Sequence, residues 1–202
     1  MLDETFTRDA MIHALRNHYP VIHIASHFVL SPGNEGESFI LLGPATQGAN
    51  RRLTLDDIAK REFSFAGAEL VTLSACQTAA GGPSQNGKEM DSLAEDIRQK
   101  GAKAVMASLW HVDDDSTGLL MADFYHRWID THVTKAEALR QAQLDLLYGR
   151  RAKTPPPADP TAAAEAKRCA TASDQTISPS DPNASHADPN YWAPFFLYGN
   201  WQ

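Results

Sequence analysis

Five short apolar runs constrain the fold more than any other feature of this chain: 21–26 (VIHIAS), 38–42 (SFILL), 69–75 (ELVTLSA), 104–109 (AVMASL) and 195–198 (FFLY). A strand with one wet face alternates apolar and polar residues, whereas a strand covered on both faces reads as nearly continuous apolar sequence. These runs are of the second kind. Helical patterns lie between them. Residues 7–17 carry Ala10, Ile12 and Leu15 at roughly helical spacing, and 89–100 stops at Gly101, a residue suited to a helix C-terminal cap. Residues 115–131 carry Leu119, Leu120, Ala122, Phe124 and Trp128 on a broad stripe. Thr134 and Glu137 have capping-box spacing and predict a helix opening at Lys135. Strands alternating with helices predict an α/β fold, a mostly parallel sheet flanked by helices on both faces.

One stretch departs from this pattern. Across 149–189 the composition shifts to Pro, Ala, Ser, Thr and Asp, with TPPPADP and SPSDPNASHADP inside it. Such a segment buries too little apolar surface to offset its ordering entropy, and it reads as a disordered surface insertion. Order is expected to return at Tyr191, in YWAPFFLYGNW. A length of 202 residues suits a single domain, 1–202, carrying that insertion. Arg150, Arg151, Lys153, Lys167 and Arg168 lie within it, where an exposed backbone is open to proteolysis, self-cleavage included.

Charge and cysteine content narrow the function. A formal charge of -7 argues against nucleic acid as a partner, because phosphate binding needs clustered Lys and Arg. Cys76 and Cys169 are the two cysteines and lie far apart, which suggests neither a disulfide framework nor a zinc site. The acidic start MLDETFTRDA lacks the basic and apolar regions of a signal peptide, and no apolar run is long enough to span a bilayer. A cytoplasmic setting without membrane association is therefore expected, with free thiols. No Gly-rich phosphate loop precedes a helix, so a nucleotide-binding domain has little support.

In a parallel sheet, functional groups gather beyond the carboxyl ends of the strands. VIHIASHF ends its strand at His27, and LVTLSAC ends its strand at Cys76. A neighbouring imidazole would ionise the thiol and later protonate a leaving amine. The competing role for Cys76 is structural, since free cysteine is among the most buried residue types. The small residues Ala79 to Gly82 after it would let a substrate backbone approach. His23, mid-strand, is expected to be a packed interior histidine rather than a ligand.

Five blocks in order, IHIASHF, LSACQTAAGG, GAKAVMASLWHVDDDST, KAEALRQAQLDLL and DPNYWAPFFLYGNW, resemble the CHAT domain. They cover nearly the whole chain outside 149–189. This is a caspase-like domain related to caspases, separases and gingipains, often found C-terminal to tetratricopeptide repeats. The resemblance implies a caspase-type α/β sheet and a cysteine endopeptidase acting on protein or peptide substrates without a cofactor. It makes His27 the general base and Cys76, in the S-A-C-x-T block, the nucleophile. The backbone N–H groups of Cys76 and Phe28 would line an oxyanion hole. LWHVDDDST resembles the separase L-W-x-V-x-D block, which gives Asp114 the task of receiving an Arg or Lys side chain before the scissile bond. Asp113 and Asp115 are its rivals, and Trp110 would border the substrate cleft. All three aspartates also stand where a helix start favours negative charge. They could offer calcium ligands, but the loop spacing of a known calcium motif is absent.

The sequence departs from the family in two respects. Phe28 stands where the family commonly has Gly, and Phe tolerates positive φ poorly. The chain also resembles mainly the catalytic half of the family. A partner or a second copy completing the sheet, and tetratricopeptide repeats upstream, are therefore expected. The other reading open to the sequence is a catalytically silent caspase-like scaffold or binding module.

Overall fold

The computed structural model describes residues 5–29, 31, 34–43, 50–77, 86–110, 114–150 and 186–202. The strands are β1 (Val21–Val29), β2 (Phe39–Leu41), β3 (Arg52–Thr54), β4 (Leu70–Gln77), β5 (Ala104–Ser108) and β6 (Phe195–Gly199). The helices are α1 (Arg8–Leu15), α2 (Leu55–Ile58), α3 (Asn86–Gln99), α4 (Asp114–Tyr125), α5 (Lys135–Leu147) and α6 (Pro189–Trp192). A π-helical turn, His126–Asp130, follows α4 directly. The chain falls into two compact units, Met1–His111 with Phe195–Trp201, and Val112–Pro194 with Gln202.

The first unit holds a six-stranded sheet in the order β3-β2-β1-β4-β5-β6. The β1–β4 and β4–β5 pairings are parallel, while β1–β2, β2–β3 and β5–β6 are antiparallel. The sheet is therefore mixed rather than mostly parallel. Residues 30–38 and 42–51, which join β1 to β2 and β2 to β3, fall short of the dozen or more residues that a parallel crossover needs, a constraint that apolar content alone does not reveal.

Because side chains alternate across a strand, Ile24, Phe28, Ile40, Leu53, Val71, Leu73, Val105 and Ala107 share one sheet face. They form one core with Met11 and Leu15 of α1, Leu55 and Ile58 of α2, and Leu93, Ala94 and Ile97 of α3. In β4 and β5 the opposite face is closed as well, with Leu70, Thr72, Ala104 and Met106 all buried. This is the double burial that the missing alternation predicts. In β1 it fails: His23 and Ala25 on that face are exposed. His23 is thus not an interior histidine by its surface, although the protein mass around it pushes its pKa down to about 4 by desolvation.

The helix starts follow from their caps. The Thr7 hydroxyl accepts from the Ala10 N–H and opens α1. Thr54 and Asp57 form a full capping box at α2, a helix that the apolar runs do not announce. At α5 only half of the expected box forms. Thr134 accepts from the Glu137 N–H, while the Glu137 carboxylate turns outward to Arg140 and Gln141. Gly101 follows α3 at φ +111, and a Cβ there would sit 2.9 Å from the Ala66 Cα, so the position requires glycine.

In the second unit, Leu120, Met121 and Phe124 of α4 and Ala138, Leu139, Ala142 and Leu146 of α5 are buried. Arg127 binds Asp123 at 2.8 Å and Asp145 at 2.6 Å, tying the turn after α4 to α5. Residues 151–185 of the expected insertion, with its Arg151, Lys153, Lys167 and Arg168, lie outside the described residues. Among the described residues after that segment a helix opens before Tyr191, because the Asp188 carboxylate caps α6 and Pro189 takes its first position.

Candidate active site

Strands β1 and β4 run parallel and in register from Val21↔Leu70 to Phe28↔Gln77, and the pairing sets His27 directly beside Cys76. Two residues distant in sequence thus share one rung of the ladder, at the carboxyl end of β4. Both strands run further than their apolar runs suggest. β1 continues past His27 because Phe28 and Val29 find partners in Ile40 and Phe39 of β2. His27 therefore lies inside its strand, and Cys76 is the penultimate residue of β4. The Ser26 hydroxyl donates to the Leu41 carbonyl at 2.5 Å and ties the two strands together next to His27. Nothing in the sequence marked Ser26 for this anchoring, since its acceptor is a main-chain atom of another strand.

By strand alternation His27, Ala25 and His23 belong to one face and Phe28 to the other. Phe28 is fully buried in the core beside Ile40, in extended backbone within the ladder. It is not among the described residues with positive φ, which besides glycines are His18 and His132. The backbone conformation that would make Phe28 a poor substitute for Gly is therefore not adopted.

His27 is half-buried, and its Nδ1 atom is buried with no hydrogen-bond partner among the described residues. Trp110, just beyond β5, is also half-buried, and its Nε1 atom is likewise buried and unpartnered. His27, Cys76 and Trp110 all belong to the first unit. Asp114 is the first residue of α4 and belongs to the second, as does Asp115, which is exposed. Asp113 and Cys169 lie outside the described residues. Among the described residues no cluster of three or more His, Cys, Asp or Glu is placed to hold a metal ion. A shallow hollow lined by Ile12, Leu15, Arg16, His18, Glu62 and Ser64 lies by the residues that precede β1, at the other end of that strand from His27.

The family model of the CHAT domain matches residues 1–200. The chain belongs to the CHAT domain family. That places it in a caspase-like, protease-related family, and the α/β architecture agrees with a CHAT fold. No curated protein matches this CHAT chain. Among its described residues no helix is long and apolar enough to cross a membrane.

Proposed function

We propose that this CHAT chain is a cysteine endopeptidase. What supports the reading is one observation, the His27↔Cys76 rung of the parallel β1–β4 ladder in a chain of a protease-related family. A Cys–His pair is the smallest constellation that performs acyl transfer on a peptide bond.

In this reading His27 takes the thiol proton, and the Cys76 sulfur attacks the carbonyl carbon of the scissile bond. The backbone N–H groups of Cys76 and Phe28 stabilise the tetrahedral oxyanion. Collapse of the intermediate breaks the C–N bond as His27 gives its proton to the leaving amine, and a thioester remains on Cys76. Water, deprotonated by His27, attacks the thioester, releases a carboxylate and restores the thiol. The bond-breaking step uses no cofactor. The proposed machinery is the dyad of Cys76 and His27.

Asp114 receives an Arg or Lys side chain before the scissile bond, and Trp110 borders the bound peptide. A fluorogenic panel tests that preference, and equal turnover of acidic and basic substrates removes it. The protein works in the cytoplasm, alongside tetratricopeptide repeats or a partner that extends its sheet.

The dyad itself is tested by an activity-directed thiol probe on the full chain. Cys76→Ala is expected to abolish labelling, and His27→Ala to slow peptide cleavage by about 10²- to 10⁴-fold, the usual contribution of a general base. Labelling of Cys76 that is indifferent to His27→Ala, with no cleavage of any peptide in the panel, leaves a caspase-like binding module instead.

A further inference from the structure

We propose that Trp110 is a substrate-positioning residue, its indole N–H donating a hydrogen bond to a main-chain carbonyl of a peptide bound along the carboxyl edge of β4 and β5. The proposal rests on the peptidase reading and goes beyond an apolar wall of the cleft.

The register supplies the first reason. Leu73 of β4 pairs with Ala107 of β5 in a parallel ladder. β5 ends at Ser108 and Trp110 follows two residues later, past the carboxyl end of the strand that neighbours β4 and its Cys76. On the other flank of β4, His27 is paired with Cys76 itself. His27 and Cys76 thus share a rung at the carboxyl end of β4, and Trp110 lies just past the same end of the next strand.

The second reason is an unspent donor. The indole Nε1 can only donate, and here it is buried with no acceptor among the described residues. Native proteins leave few such atoms, and each calls for a physical explanation. Had the ring served only as packing, Phe would fill the place without stranding a polar atom. The ring as a whole is half-buried, so a modest displacement carries the nitrogen to an incoming acceptor. A main-chain carbonyl is the acceptor that every peptide brings, whatever its sequence. An N–H that gains its partner only when peptide binds favours the complex over the free protein.

Trp110→Phe in the full chain separates the two roles, because it keeps an aromatic side chain, though a smaller one, and deletes the donor. Two thiol reagents are compared, iodoacetamide, which makes no peptide contacts, and a tetrapeptidyl acyloxymethyl ketone. Expected are an unchanged rate with iodoacetamide and an inactivation by the ketone about tenfold slower, the loss of one hydrogen bond. Stability in urea should hold or rise, since an unsatisfied donor has been removed. A packing role predicts the reverse, lower stability with no selective loss toward the ketone, and equal ketone rates overturn the proposal. Should the variant fail to fold, the wild-type indole ¹H–¹⁵N resonances decide. One of the four tryptophan signals must move downfield when the ketone adduct forms at Cys76, and an unmoved set overturns the proposal. A ketone that fails to inactivate the wild-type chain in a His27-dependent manner overturns the peptidase reading, and this proposal with it.

Discussion

In β4 and β5 the residues Leu70, Val71, Thr72 and Leu73, and all of β5 from Ala104 to Ser108, are 2% exposed or less. In β3, four places from β5 in the same sheet, Leu53 is fully buried while its neighbour Arg52 is exposed and stacks its guanidinium 4.7 Å over the Phe39 ring. The parallel centre is held by apolar burial from both sides. The antiparallel flanks rely on polar devices placed residue by residue: the Thr54 and Asp57 box, the Ser26 bond to Leu41, and the Tyr198 hydroxyl donating to Glu95 at 2.7 Å. β1 belongs to both regimes. It is parallel to β4 on one side and antiparallel to β2 on the other. His27 sits at that junction, on a strand aligned by apolar pairing to one neighbour and pinned by a hydroxyl to the other.

The contrast is broken most directly by truncating one residue from each regime. Leu73→Ala removes a core side chain of the centre and should cost about 2–5 kcal/mol in urea unfolding. Arg52→Ala removes only a stacked surface guanidinium and should cost about 0.5–1 kcal/mol. Equal losses would mean that the flanks carry the fold as much as the centre does. A sharper question is whether the flank depends on its cap. Thr54→Ala strips the α2 capping box and should destabilise by about 0.5–2 kcal/mol, with Thr54→Ser restoring most of it. A neutral Thr54→Ala would show that α2 is held by Leu55 and Ile58 alone.

The smallest expected effect concerns the clamp on β6. Hydrogen bonds from Arg98, then Gln99 and Tyr198, hold the Glu95 carboxyl at about 2, below its ordinary 4.5. A carboxyl depressed in the folded state contributes stability above its unfolded value, and that contribution is lost as pH falls from 4.5 toward 2. The thermal midpoint of the wild type should therefore drop toward that of Glu95→Gln across this window. The group is solvent-exposed, so the change is small and shrinks in salt. A gap between the two proteins that stays constant through the window would show that the carboxylate charge adds nothing to the clamp.

Each apolar run became a strand, because continuous burial writes itself into local composition. The helix at α1 announced itself through the spacing of Ala10, Ile12 and Leu15, and those at α3 and α5 through Gly101 and Thr134, where caps act within a turn of backbone. β3 did not. Three residues with Arg52 at their head carry no apolar run, and only pairing with β2 makes them a strand. The exposed His23 was equally hidden, since a residue's distance from water depends on what packs over its strand. At the candidate site, the residue types and their order suggested His27 and Cys76, but the strand ends did not. The ladder to β2 carried β1 three residues past its apolar run.

Taken by itself, the amino-acid order determined five of the six described strands and the longer helices, where several helices begin and stop, and which family the chain resembles. These depend on periodicity and capping, interactions that reach a few residues along the backbone. Only the tertiary structure decided that β1 lies beside β4, that the sheet reverses direction on both flanks, and that His27 and Cys76 share a rung. Strand order and register follow from ladder hydrogen bonds and face-to-face burial between distant segments, and a slip of one residue would send His27 to the opposite face.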